Sequence, residues 1–128
     1  MIIKFYKCIH CGQIIAKIKD TKVPVICCGD PMMELVPNTT DASTEKHIPI
    51  YEIKDNIVTV EVGSIPHPAT AEHHIEWIML VTNKGNQRKI LAPTDAPTTM
   101  FMIAKDEKIE AILAYCNLHG LRMKDLRK

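Results

Sequence analysis

The sequence predicts a mainly β protein in two parts, a small metal-stapled N-terminal unit followed by an antiparallel β-sandwich. Two observations carry this. Residues 1–36 hold four of the five cysteines, yet their apolar runs are too short to build a core. Beyond residue 50, short runs rich in β-branched residues alternate with turn signals at the spacing of a small sandwich.

The 128 residues suit one domain, or one domain with a mini-domain attached. A hydrophobic fraction of 46% is enough for a core, and β-branched residues with balanced charge exclude a disordered chain. The net charge of +1 comes with no basic run, which argues against a nucleic-acid partner. No stretch approaches the roughly 18 apolar residues of a membrane helix, so no membrane partner is expected. The opening Met1-Ile2-Ile3-Lys4-Phe5-Tyr6-Lys7-Cys8 lacks the apolar region and cleavage site of a secretory signal. The expected compartment is therefore the cytoplasm, where five cysteines point to metal binding or catalysis rather than disulfides.

In the first part, residues 2–7 and 13–19 are short extended pieces, followed by a tight Cys27-Cys28-Gly29-Asp30-Pro31 turn. About 36 residues rarely fold unaided, because small chains bury too little surface; a metal would supply the missing constraint. Residues 37–49 are polar with a proline at each end, and read as a linker and functional loop. Within 50–128, strands are expected over 56–63, 74–82, 88–92 and 99–104. Asp55-Asn56, Asn83-Lys84-Gly85-Asn86, Pro93 and Pro97 supply the turns. Residues 108–115 could form two helical turns by periodicity; they are assigned to a strand, which would end at Cys116-Asn117 on the sandwich rim.

Cys8-Ile9-His10-Cys11-Gly12 is a knuckle: two thiolates three positions apart can grip one metal, with glycine permitting the turn beneath. Cys27-Cys28 offers the second pair, and four thiolates favour a tetrahedral zinc or iron site. Neighbouring side chains in an extended chain point apart, so both can reach one metal only from a distorted backbone. The plainer reading is a zinc staple without chemistry. His10 is expected to be solvated rather than a fifth ligand.

The six histidines matter by position. His47 lies in the Glu45-Lys46-His47 loop segment, His67 lies between prolines, His73-His74 opens a strand, and His119 follows Cys116 by three residues in Cys116-Asn117-Leu118-His119-Gly120. Cysteine and histidine at that spacing, before a glycine, can chelate from one turn. His73 and His74 cannot both face one point in an extended chain; His73 is the candidate ligand and His74 a packed or solvated neighbour. Singly, His67 reads as a loop residue and Cys116 as a small buried hydrophobe. Convergence of His47, His67, His73, His119 and Cys116 would give four imidazoles and one thiolate.

Taken in order, Cys8-x-x-Cys11, Cys27-Cys28, Glu45-Lys46-His47-x-Pro49, His67-Pro68, Glu72-His73-x-Ile75-Glu76-Trp77-Ile78 and Cys116-Asn117-Leu118-His119-Gly120 resemble desulfoferrodoxin, the two-iron superoxide reductase family, over nearly the whole chain. The resemblance implies a desulforedoxin-like domain over 1–36 with a rubredoxin-type iron on Cys8, Cys11, Cys27 and Cys28. It implies an immunoglobulin-like sandwich over 50–128 whose iron takes His47, His67, His73 and His119 as equatorial ligands and Cys116 as axial ligand. The implied activity is one-electron reduction of superoxide to hydrogen peroxide, as an oxidative-stress defence. Lys46 would attract the anionic substrate and orient a proton-delivering water, and Glu45 would close the sixth iron position in the ferric state. A homodimer reduced by rubredoxin or a similar carrier is further implied. The chain departs from the family at His74, where an aromatic is common, and at Arg122, where tryptophan is common; Arg122 would then alter the surface near the iron or the donor's docking site.

Three other readings compete. A simple electron carrier needs only the four-cysteine iron and leaves Cys116 and the histidines unexplained. A zinc-ribbon module predicts colourless protein and a basic face. A different non-haem iron enzyme commonly uses two histidines and a carboxylate, which this set does not match.

Overall fold

The computed structural model describes residues 2–38, 48–63 and 68–127, and every regular element in them is a β-strand. Two compact units divide the chain, Met1–Val36 and Pro37–Lys128. Among the described residues no helix is long and apolar enough to cross a membrane.

The first unit has five very short strands: β1 (Phe5–Lys7), β2 (Ile14–Ala16), β3 (Ile26–Cys27), β4 (Asp30–Pro31) and β5 (Met33–Glu34). β1 is flanked by β2 and β5, and β3 pairs with β4. Its buried apolar side chains are Phe5, Cys8 and Met32, with Ile9, Ile18, Val23 and Ile26 exposed. That core is small for a folded unit, as the short apolar runs predict. The β3–β4 hairpin turns through Cys28 and Gly29, at φ +53° and +84°. Positive φ at both central residues is the pattern of a type I′ turn, whose twist matches its strands. Glycine adopts it freely, whereas cysteine at Cys28 is held there against its preference. The distortion expected from adjacent cysteines is thus a left-handed residue at the second of them.

The second unit has seven strands among its described residues: β6 (Pro49–Lys54), β7 (Ile57–Val62), β8 (Ile75–Thr82), β9 (Gly85–Ile90), β10 (Thr98–Met102), β11 (Ile109–Cys116) and β12 (Gly120–Asp125). They form two antiparallel sheets, ordered β10-β7-β6 and β12-β11-β8-β9. β7 alternates strictly, burying Val58, Val60 and Val62 and exposing the residues between. Those valines meet Phe101 of β10 and Ile75, Ile78, Leu80, Ile112, Ala114 and Cys116 of the other sheet in one core. β8 and β11 are buried on both faces, which is why they read as continuous apolar runs. On the second face Trp77 and Tyr115 stack, with centroids 5.7 Å apart and planes 13° from parallel.

The ambiguous segment is a strand, β11, and its end at Cys116 lies at the edge of the core. Four details differ from the sequence expectation. β6 occupies Pro49–Lys54, where no strand is expected and Pro49 is assigned to the linker, because the segment pairs along the whole of β7. β9 begins at Gly85, inside the stretch assigned to a turn, because Thr82 already pairs with Gly85 across a two-residue connection. β12 was not anticipated, since Leu121-Arg122-Met123-Lys124-Asp125 lacks β-branched residues; its pairing with β11 overrides that weak propensity. Arg122 lies opposite Ala114 and is 3% exposed, so it is a buried side chain and not a surface feature.

Side chains replace ladder bonds at strand ends. Asn38 Nδ2 donates to the Met123 carbonyl at 3.0 Å and its Oδ1 accepts the Met123 N–H at 3.0 Å, clasping β12. At the end of β8, Glu107 accepts the Thr82 hydroxyl at 2.6 Å and the Ala104 N–H at 2.9 Å. These bonds, the Thr82 one foremost, hold the Glu107 carboxyl below its ordinary range.

Two predictions follow from these contacts. Because the folded Glu107 carboxyl binds protons less readily than the unfolded one, its contribution is full above the carboxylate range and fades as pH falls through it. Glu107→Gln should therefore flatten the acid limb of a stability–pH profile measured by urea unfolding, and an unchanged limb would refute the assignment. An added Cβ at Gly29 meets nothing within 4 Å, so substitution there tests backbone conformation alone. Gly29→Val should destabilise the first unit by about 1–2 kcal/mol and Gly29→Asn by less. Guanidinium titration of the metal-loaded chain reads this, and equal midpoints for the two variants would contradict it.

Candidate metal centres

Cys8, Cys11, Cys27 and Cys28 bring their sulfurs within 4.8 Å of one another. Two features of the first unit cause this. The β1–β2 connection folds Cys8 and Cys11 into a knuckle, with Gly12 N–H donating to the Cys8 carbonyl at 3.0 Å and Gly12 at φ +82°. The left-handed turn at Cys28-Gly29 brings the adjacent thiols to the same group. The His10 and Cys11 N–H groups both donate to Cys8 Sγ at 3.4 Å. These donors, Cys11 foremost, lower the Cys8 thiol to about 6. Cys27, crowded by the Cys8 and Cys11 sulfurs, is pushed up to about 12, and Cys28 is raised by the same neighbours. Four sulfurs this close cannot all be anionic unless a cation neutralises them, and its binding would release the protons that Cys27 and Cys28 retain.

Thiolates about 2.3 Å from one tetrahedral metal lie roughly 3.8 Å apart, and the Cys11 and Cys27 sulfurs are 3.6 Å apart. None of the five cysteines is in a disulfide. Cys8 is buried while Cys11 and Cys28 are exposed, so one edge of the group faces solvent. His10 is exposed and stands beside Asp30, with Nε2 2.5 Å from a carboxylate oxygen.

The second group is His73, Cys116 and His119, whose candidate ligand atoms also lie within 4.8 Å of one another. Cys116 ends β11 and Gly120 opens β12, and the two pair across a three-residue connection. Gly120 takes φ +77°, the left-handed position that closes such a hairpin. The turn brings His119 Nδ1 to 3.8 Å from Cys116 Sγ. His73 precedes β8, the other neighbour of β11. There Tyr115 pairs with Trp77 but Cys116 with Ile75, so Glu76 is an extra residue in a β-bulge. The His73 and His119 rings meet edge-on, 5.0 Å apart and 75° inclined. Cys116 is fully buried in the sandwich core. A thiolate there requires a cation, and two imidazoles with one thiolate suit a transition metal.

His74 lies outside this group; its Nδ1 is 2.9 Å from the Thr70 carbonyl oxygen. Glu45, Lys46, His47 and His67 lie outside the described residues. Sequence reasoning missed Asn117, which bonds to residues 72 and 74 on either side of His73. Its place between Cys116 and His119 was visible, but its bonding partners, more than 40 residues away, were not.

The desulfoferrodoxin family model matches residues 39–125. Desulfoferrodoxin from Nitratidesulfovibrio vulgaris is 42% identical over 117 residues, covering 91% of each chain. A superoxide reductase from Pyrococcus horikoshii is 38% identical over 108 residues, covering 70% of this chain and 93% of its own. The crystal structure of the superoxide reductase from Treponema pallidum superposes with a TM-score of 0.82 at 32% identity, over 98% of this chain and 100% of that one. With two groups of side chains able to hold a metal, β-strands throughout the described residues and relatives matched over nearly its full length, this protein belongs to the desulfoferrodoxin family.

Proposed function

We propose that this chain is a superoxide reductase, an oxidoreductase that converts superoxide to hydrogen peroxide without producing dioxygen. The observation that carries the reading is the convergence of His73 and His119 on the buried sulfur of Cys116, in a chain whose relatives include named superoxide reductases. A four-sulfur carrier alone would leave this second group without a purpose.

Both centres are proposed to hold iron: Cys8, Cys11, Cys27 and Cys28 the first, and His47, His67, His73, His119 and Cys116 the second. Iron held there would supply a one-electron couple at each centre and, at the second, the redox chemistry for superoxide. Cys116 provides an anionic donor shielded from water by the core around it. His73 and His119 would provide imidazole nitrogens, their rings held edge to face. Forming hydrogen peroxide from superoxide takes one electron and two protons, so the site needs a proton route. Lys46 is proposed to draw in the anion and to orient the water that delivers a proton. Glu45 is proposed as a further iron ligand in the ferric state. Rubredoxin or a similar small carrier is the proposed donor, and a homodimer the proposed assembly; both rest on the family. Five cysteines outside any disulfide suit a reducing compartment such as the cytoplasm.

The test begins with the visible spectrum and metal content of the purified protein, reduced and oxidised. Tetrathiolate bands, a separate long-wavelength thiolate-to-iron band on oxidation, and superoxide-dependent peroxide release are expected together. Cys116→Ser should remove the long-wavelength band and the activity while leaving the tetrathiolate bands; retention of both would exclude Cys116 from the centre. Lys46→Ala should slow superoxide capture and weaken its dependence on ionic strength. An identical rate across a salt series would end the case for Lys46.

A further inference from the structure

The His73 segment and the Cys116–His119 turn lie far apart in sequence, and strand pairing stops at Cys116 and Ile75. Beyond that point His73 depends on something other than the ladder. Asn117 supplies it. Its Oδ1 accepts the His74 N–H at 2.9 Å and its Nδ2 donates to the Glu72 carbonyl at 3.0 Å. Its own backbone N–H donates to the His74 carbonyl at 3.2 Å. Asn117, next to Cys116 in the turn that carries His119, therefore grips the chain on both sides of His73. A side chain that donates from one atom while accepting at another makes both contacts, which the asparagine amide can and an ionised aspartate or a leucine cannot.

A second clasp closes the segment from its other end. Thr70 N–H and hydroxyl donate to the His73 carbonyl at 3.0 and 3.2 Å, and His73 N–H donates to Thr70 Oγ1 at 3.1 Å. With the backbone at 70–74 fixed in this way, the His73 ring is directed at His119 and Cys116.

We propose that Asn117 is a positioning residue that holds His73 in register with Cys116 and His119, so that the metal-binding group is assembled before the metal arrives. This rests on the reading of those three residues as ligands. Groups that orient metal ligands typically change metal affinity on the order of 10–100-fold when removed.

The experiment uses the full, iron-loaded chain and the variants Asn117→Ala, Asn117→Asp, Asn83→Ala and His73→Ala. Asn83 is the control, because it caps the opposite end of β8, where its Oδ1 accepts the Lys108 N–H at 2.9 Å and its own N–H donates to the Lys108 carbonyl at 3.0 Å. Iron loss to a chelator at the second centre and the long-wavelength thiolate-to-iron band are followed, with the tetrathiolate bands as internal reference and thermal unfolding alongside. Asn117→Ala should release that iron on the order of 10–100-fold faster and shift the band. Asn117→Asp, which keeps the acceptor and loses the donor, should fall between it and the parent. Asn83→Ala should lower the unfolding temperature with the band and iron retention unmoved. Parent-like band and retention in Asn117→Ala, or in Asn117→Asp should the alanine variant not fold, would overturn the inference. An equal shift in Asn83→Ala would overturn it too, since general destabilisation would then suffice. His73→Ala separates the two levels: if it keeps the parent band and iron, the ligand reading itself fails. If it loses both while Asn117→Ala keeps both, only the role of Asn117 falls.

Discussion

The antiparallel pairing of β8 with β11 is the contact on which the second unit depends. Ile109–Cys116 lies along Ile75–Thr82, and both strands are buried on both faces. One face joins Ile78, Leu80, Ile112 and Ala114 to the valines of β7, and the other stacks Trp77 on Tyr115. The same pairing brings the chain just before β8 beside the end of β11, and so His73 beside Cys116. A register slip by one residue would turn every side chain of the strand to the opposite face, and would take Cys116 out of the core. The candidate metal group and the hydrophobic core are thus consequences of one register.

The bulge at the site end of this pair reconciles two demands. A regular ladder would continue to alternate through Trp77, Glu76 and Ile75, whereas the extra residue at Glu76 lets Ile75 pair with Cys116. Bulges commonly re-aim side chains at functional sites. Past it, the backbone groups near His73 bond to Thr70 and Asn117 in place of strand partners.

The first unit inverts this logic. Its strands are two or three residues long and its apolar side chains are largely exposed, so burial cannot account for its order. Its four sulfurs converge through backbone geometry: the knuckle at Cys8–Cys11 and the left-handed pair Cys28-Gly29. Donation of two N–H groups to Cys8 favours the thiolate, while the crowded thiols of Cys27 and Cys28 hold their protons until a cation displaces them. One unit forms its candidate centre as a by-product of its core, and the other takes much of its order from the centre itself.

The sequence by itself determined the β class and singled out Cys8, Cys11, Cys27 and Cys28, and His73, Cys116 and His119, which the structure gathers into two groups able to hold a metal. Those properties are local: β-branched alternation, a Cys-x-x-Cys knuckle and a Cys-x-x-His turn act within a few residues. It also required an unusual backbone at Cys27-Cys28, because adjacent side chains of an extended chain diverge. The tertiary structure alone decided that Pro49–Lys54 and Gly120–Asp125 form strands, that Arg122 is buried, and that Gly85 begins β9. Each of these depends on a partner strand supplying hydrogen bonds and cover, which local propensity does not encode. The same holds for Asn117. Its amide reads as an ordinary turn residue until the pairing of β8 with β11 brings Glu72 and His74 within reach, because a hydrogen bond across more than 40 residues exists only after the chain has closed.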